Sequence, residues 1–309
     1  MAKITLPPEQ RKACLVLSLG HLCSDINQGT LSALLPFLAA AHHYNYTTAA
    51  LLVMVSNLAG SVIQPLFGHW ADRTDRPAFM LWGVALAGGG MALTGLLDNF
   101  YALCTAVIVS GLGVALFHPE AAKLVHAFSS QNAQGTLMGI FSFGGNLGFT
   151  LGPLLAFLGI SLWGLPGTLI FLLPPLFFTL AAARFTPQPS SQTKEQQSEA
   201  ASAATPQGTD DAGAFARLSA LITLRSIIKS GFSTFLALYL IHVLAQSESL
   251  SSTLLSAFYA VTAFSALLGG RLADQWGEKR TIVFACTLLL LGLLAFPLAP
   301  TVLAAALQK

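Results

Sequence analysis

Asp25 stands near the middle of an apolar stretch that runs from Ala13 to about Ala41. A charge at the centre of a bilayer costs about 2.5–3.5 kcal/mol on insertion scales, so this side chain belongs against a cavity or a partner and not against lipid. It suits a proton or substrate site; the plainer alternative is a hydrogen-bonded structural aspartate. His21, one helical turn earlier, is placed to orient it. Glu120 follows Pro119 in the run Phe117-His118-Pro119-Glu120. Proline lacks the N–H that would bond the carbonyl of Ala115 and tends to kink the helix, leaving a polar gap that His118 and Glu120 can border as a proton relay. Against that, Lys123 lies three residues on, at contact spacing, where it can simply neutralise Glu120. No third ligand is placed beside His118 and Glu120, so no metal site is expected. Arg225 and Lys229 are one turn apart and share a helix face, where two fixed positive charges attract an anion. The alternatives are that Arg225 snorkels to the surface or that either cation pairs with Asp25. Asn146, Gln28 and Gln64 are further polar groups for a cavity.

The elements that must hold these groups are membrane helices. Only 9% of the 309 residues are Asp, Glu, Lys or Arg, against roughly 25% in ordinary globular chains, which excludes a water-soluble fold. With 54% hydrophobic residues and a mean hydropathy of +0.68, the apolar surplus falls in runs of about 20 residues, each sufficient to cross a bilayer core as a helix. Strands of a transmembrane barrel would instead alternate polar and apolar residues. The runs cover roughly residues 13–41, 47–70, 78–97, 100–125, 134–160, 163–184, 215–244, 251–272 and 279–299, predicting nine spanning helices. The first carries Asp25 and exceeds the apolar core of a signal peptide, so it reads as a retained helix.

Cys14, Cys23, Cys104 and Cys286 form no CxxC pair or metal-spaced cluster, which argues against a disulfide framework or a zinc site. The net charge of +2 is too small to indicate a nucleic-acid partner. There is no HExxH, GxSxG or Walker glycine loop, so no enzyme and no cofactor is expected.

Residues 185–214 turn abruptly polar, rich in Ser, Gln, Pro and acidic residues, and read as a disordered linker between a six-helix half, 1–184, and a second half, 215–309. Lys and Arg gather on one side of the expected topology: Lys3, Arg11 and Lys12; Arg73 and Arg76; Lys123; Arg184, Lys194 and Arg217; Arg271, Lys279 and Arg280. The positive-inside rule therefore puts the N-terminus and linker in the cytoplasm, in a multi-pass protein of the inner (plasma) membrane. Gly68-His-Trp-Ala-Asp72-Arg73-Thr-Asp-Arg76 closes the second run and Gly270-Arg-Leu-Ala-Asp274 closes the eighth with the same Gly-to-Asp spacing. Two parallel repeats follow.

These two loops resemble the Gly-x-x-x-Asp-Arg-x-Gly-Arg element of the major facilitator superfamily, with Asp75 in place of its internal Gly in the first copy and Gln275 and Glu278 in place of basic residues in the second. In the fifth run, Gly139, Gly148, Gly152 and Pro153 are similar to the Gly-x8-Gly-x3-Gly-Pro pattern of the superfamily's proton-coupled antiporters, although Ala156 and Phe157 replace the Gly pair that follows. Ser18-Leu-Gly-His21-Leu-Cys-Ser-Asp25, Phe117-His118-Pro119-Glu120 and Gly144-Gly145-Asn146-Leu-Gly148 resemble the fosmidomycin resistance group within it. The resemblance implies an all-α major facilitator fold with about nine of twelve helices present, Val302–Leu307 opening a tenth and the C-terminal half incomplete.

It also implies a monomeric secondary transporter that exchanges a small anionic or amphiphilic compound for protons. The first and seventh helices, carrying Asp25 and the Arg225–Lys229 pair, would line the central cavity. Asp25, His21, His118 and Glu120 would couple protons; Arg225, Lys229, Asn146, Gln28 and Gln64 would bind cargo. Gly139, Gly148, Gly152 and Pro153 would pack a sealing helix, and Gly68, Asp72, Arg73, Arg76 and Asp274 would form a gating latch. A metabolite or sugar symporter on the same scaffold and a non-transporting membrane fragment are the alternatives. If the latch operates, Arg73→Ala in a chain with both halves complete lowers the transport rate; an unchanged rate contradicts it.

Overall fold

A computed structural model describes residues 7–73, 78–129, 133–185, 211–244 and 248–296. Among them there is no strand. The helices are α1 (Pro8–His42), α2 (Tyr46–Val62), α3 (Gln64–Arg73), α4 (Ala78–Leu93), α5 (Phe100–Phe128), α6 (Gln134–Trp163), a 3-10 segment (Leu165–Leu172), α7 (Leu173–Phe185), α8 (Ala212–His242), α9 (Glu248–Trp276) and α10 (Glu278–Ala295). The nine apolar runs map onto these elements, two of them in broken form. The second run divides at Ile63 into α2 and α3, because Pro65 has no N–H to continue the ladder. The sixth begins as a 3-10 segment, Leu165–Leu172, with Pro166 in its first turn, and becomes α-helical where Pro174 and Pro175 occupy a first turn that needs no donors.

The remaining boundaries have equally local causes. Asn45 caps α2 by accepting from the Thr48 N–H at 2.8 Å, and Asn99 caps α5 through Tyr101 N–H at 2.8 Å. Asp211 does the same for α8 through Ala214 N–H at 2.8 Å. Gly164 and Gly277, with φ of 67° and 84°, end α6 and separate α9 from α10 in a backbone region that favours glycine.

Four segments among the described residues are long and apolar enough to cross a membrane: Thr47–Trp70, Phe100–Phe128, Gln134–Trp163 and Leu165–Arg184. Their outward faces carry large apolar side chains, among them Leu58, Leu154, Phe157, Phe177 and Leu180. Such faces suit lipid, and the protein is a multi-pass membrane protein.

The chain forms two compact units. The first comprises residues up to Pro189 together with Tyr259–Gln275, the second half of α9. Its interior holds one apolar cluster around Leu17, Phe117, Leu137 and Phe178 and another around Leu34, Leu52, Leu103 and Phe171. Here α1 packs chiefly on α6, and α5 on α2 and α4. The second unit contains α8, the start of α9 and α10, where Phe232 contacts the rings of Phe258 and Phe296. Most of the polar stretch expected to be a disordered linker, residues 186–210, lies outside the described residues, as do Arg76 and Val302–Leu307. Asp72 and Arg73 end α3, but their side chains lie outside the described ones.

Asp274 takes a defined structural role within the first unit. Its Oδ1 accepts from Gly135 N–H at 2.7 Å and its Oδ2 from Thr136 N–H at 2.6 Å. No side chain of the local sequence caps α6, whose N-cap position is Ala133, so a carboxylate from α9 satisfies the free N–H groups and complements the positive end of the helix dipole. The backbones come close because Gly135 and Gly270 face each other. Replacing Asp274 by Ala removes this cap and should cost about 1–2 kcal/mol, read as a thermal midpoint lowered by several degrees in detergent; Asp274→Asn should recover part of it.

Candidate functional site

The site begins with a stripe on α1. Cys14, Ser18, His21 and Asp25 succeed one another at three- and four-residue steps and share one helix face. That face meets α6 where α6 has almost no side chains. A Cβ added at Gly144 would run into Ser18, at Gly148 into the Leu22 carbonyl and at Gly152 into the Ile26 carbonyl. The two backbones can therefore approach closely. Polar side chains of α1 reach the main chain of α6: Cys14 Sγ donates to Leu137 O at 3.3 Å, Ser18 Oγ to Ile140 O at 2.8 Å, and His21 Nδ1 lies 2.8 Å from Phe141 O. The His21 ring also stacks on that of Phe141, with centroids 4.1 Å apart.

From α5, His118 completes the group. Its Nδ1 lies 2.9 Å from Val114 O, the carbonyl one turn back, and its ring meets that of His21 edge-on at 4.9 Å. Between the two rings sits Asp25, 4% exposed. His21 Nε2 is 3.2 Å from Asp25 Oδ2 and His118 Nε2 is 3.2 Å from Asp25 Oδ1. The Oδ1 contact has the distance of an ion pair without the direction of a hydrogen bond.

Proton bookkeeping follows from these partners. A carbonyl oxygen only accepts, so each Nδ1 carries a hydrogen and the tautomer of each ring is set. Both Nε2 atoms then face carboxylate oxygens. A neutral Nε2 would oppose lone pair to lone pair, so each contact is attractive only when the imidazole or the carboxylate carries an additional proton. The cluster accordingly holds up to two exchangeable protons in a site shielded from water. His118 provides the open side, its side chain being 22% exposed.

Of the residues expected to couple protons, His21, Asp25 and His118 come together. Glu120 is buried on α5 but lies outside this cluster; two residues beyond His118, it projects from a different side of the helix. Pro119 does not interrupt α5, and Gly68 of α3 passes beside it. Among the expected cargo groups, Asn146 donates to Ser142 O at 2.9 Å, Gln28 lies beside Gly60 of α2, and Gln64 is half-buried at the start of α3. Arg225 and Lys229 belong to the second unit, one turn apart on α8, with Arg225 exposed and Lys229 half-buried there. The glycines expected to act together divide between two partners: Gly148 and Gly152 face α1, whereas Gly139 faces Ala266 and Gly270 of α9. Pro153 is half-buried one residue further along α6.

The residue whose role sequence reasoning missed is Gly145. A Cβ there would strike His21 Nε2 and Asp25 Oδ2, so its lack of a side chain is what leaves room for the cluster. The only available signal was the doubled glycine Gly144-Gly145. Gly145→Ala should destabilise the protein by about 1–3 kcal/mol, as overpacking does, and disrupt the His21–Asp25 contact. Gly89→Ala, where an added Cβ meets nothing within 4 Å, should be neutral or stabilising, since Ala is the better helix former. Thermal unfolding of both variants checks the pair.

Similarity to known proteins agrees with this architecture. The chain is 27% identical over 268 residues to the fosmidomycin resistance protein of Escherichia coli (strain K12), covering 86% of this chain and 66% of that protein. It is 25% identical over 282 residues to YfnC, an uncharacterised major-facilitator-type transporter of Bacillus subtilis (strain 168), covering 87% of this chain and 67% of that one. The chain thus spans about two thirds of the length of these relatives. Its fold matches the crystal structure of a bacterial homologue of the human lysosomal transporter Spinster, in an inward-facing and occupied conformation, with a TM-score of 0.59 at 20% identity over 89% of this chain and 63% of that one. The family model of the Major Facilitator Superfamily matches residues 17–308. With its helical architecture and this match over nearly its entire length, the chain belongs to the major facilitator superfamily.

Proposed function

We propose that the protein is a proton-coupled antiporter that exports a small anionic or amphiphilic compound, with Asp25 and its two histidines as the proton-loading site. The observation that carries this reading is a buried carboxylate held between two imidazoles whose other nitrogens are committed to backbone carbonyls. Ionisable groups buried inside a membrane bundle are rare, face its interior and commonly mark proton or ion pathways. Membership in a family of small-molecule transporters and similarity to a protein named for fosmidomycin resistance support the direction of transport.

In this reading protons enter and leave from the His118 side, where the cluster is least covered. Glu120, buried on another side of α5, is a separate proton-carrying group and not a direct partner of the cluster. Within the second unit, the positive charges of Arg225 and Lys229 attract an anionic group; within the first, Asn146, Gln28 and Gln64 are separate neutral hydrogen-bonding groups for cargo. Protons and cargo then alternate because each changes the electrostatic field that the other meets in a region of low dielectric. The Asp274 cap on α6 and the matching Gly68, Asp72, Arg73 and Arg76 loop of the first repeat hold the cytoplasmic ends of the helices until cargo loads. The protein works as a monomer in the plasma membrane with its N-terminus in the cytoplasm.

Reconstituted vesicles under an imposed pH gradient test this reading, with fosmidomycin as the probe cargo. Asp25→Asn should abolish gradient-driven flux while leaving exchange at equal pH measurable, and Glu120→Gln should slow it. Full gradient-driven flux in both variants would refute the coupling scheme.

A further inference from the structure

We infer that His21, Asp25 and His118 form a binding site for a single divalent transition-metal ion. The inference rests on donor geometry, independently of the transport reading. Two imidazole nitrogens and a carboxylate converge with their ligand atoms all within 4.8 Å of one another. Nitrogen and oxygen donors bind Zn²⁺ at about 2.0–2.2 Å, which places neighbouring donors of a tetrahedral site roughly 3.3 Å apart. His21 Nε2 lies 3.2 Å from Asp25 Oδ2 and His118 Nε2 lies 3.2 Å from Asp25 Oδ1, so each imidazole faces its own oxygen of the carboxylate and small side-chain rotations would bring the donors onto one ion.

Second, both histidines have the outer-shell partner that ligating histidines have. Each Nδ1 is engaged by a backbone carbonyl, Phe141 O for His21 and Val114 O for His118. That contact fixes the tautomer with Nε2 facing inward and holds each ring in place. Third, Asp25 Oδ1 is a buried oxygen with no directed hydrogen bond, and an ion between the rings would satisfy it together with both Nε2 lone pairs. The donor set selects the metal class: imidazole suits Zn²⁺, Co²⁺, Ni²⁺ or Cu²⁺, whereas Mg²⁺ and Ca²⁺ favour oxygen ligands throughout. The partial exposure of His118 leaves a coordination position open for water or an anionic ligand. The expectation from sequence that no metal site is present rested on the lack of a third ligand beside His118 and Glu120; α1 supplies two donors from about a hundred residues earlier.

The test uses the full chain purified without a polyhistidine tag, with Co²⁺ as a spectroscopic probe and Zn²⁺ as its competitor. The expected result is one Co²⁺ per chain with the intense visible absorption of a four- or five-coordinate ion, displaced by stoichiometric Zn²⁺. His21→Ala and Asp25→Asn should each weaken binding ~100-fold or more, at or beyond the upper end of losses seen when only outer-shell partners are removed. His126→Ala, at an exposed histidine, should leave binding unchanged. His118→Cys keeps a ligand in place and should add sulfur-to-cobalt charge-transfer absorption, which a misfolded variant would not show. Weak octahedral absorption, or binding indifferent to these substitutions, overturns the proposal. Zn²⁺ binding should also arrest proton-driven flux; a bound ion with undiminished flux would support the metal site and count against proton coupling at the triad.

Discussion

A carboxylate inside a membrane bundle must be paired or solvated, and in this chain the requirement at Asp25 organises the interior of the first unit. The two histidines beside it can serve only if their rings are held, and they are held by main-chain carbonyls of α6 and α5. For His21 to reach such a carbonyl, α1 and α6 must lie closer than two helices with ordinary side chains between them. The run of glycines on α6 provides that approach. Backbone proximity, ring orientation and burial of charge are thus a single arrangement, in which the removal of any one exposes the cost of the others.

The same economy operates at the end of α6. Its first turn has no capping side chain of its own, and Asp274 of α9 supplies one across a contact between glycines. In both places a charged or polar side chain from one helix satisfies the backbone of another. Contacts of this type depend on the axial register of the two helices, since a side chain of one must reach particular backbone groups of the other.

Much of the fold was legible from hydropathy alone. Nine apolar runs became the helical elements, because lipid leaves the backbone no alternative to internal hydrogen bonding. Breaks within runs were not legible at the level of hydropathy: apolar segments continue past Pro65 and Pro174, where the missing N–H groups interrupt the helical ladder. Of the site, sequence spacing related His21 to Asp25, since one helical turn separates them. It could not bring His118 to the same carboxylate while turning Glu120 away, although the two are separated only by Pro119.

Composition and spacing by themselves determined that the chain is a helical, multi-pass membrane protein with an ionisable group in its first helix, because these properties follow from hydrogen-bonding and solvation constraints that act along the chain. Tertiary structure alone decided which groups share a site. His118 meets Asp25, Gly145 makes room for His21 and Asp25, and Asp274 closes a helix N-terminus well over a hundred residues away. Those pairings depend on how helices are rotated and how closely they pack, and the periodicity of a single helix contains neither quantity.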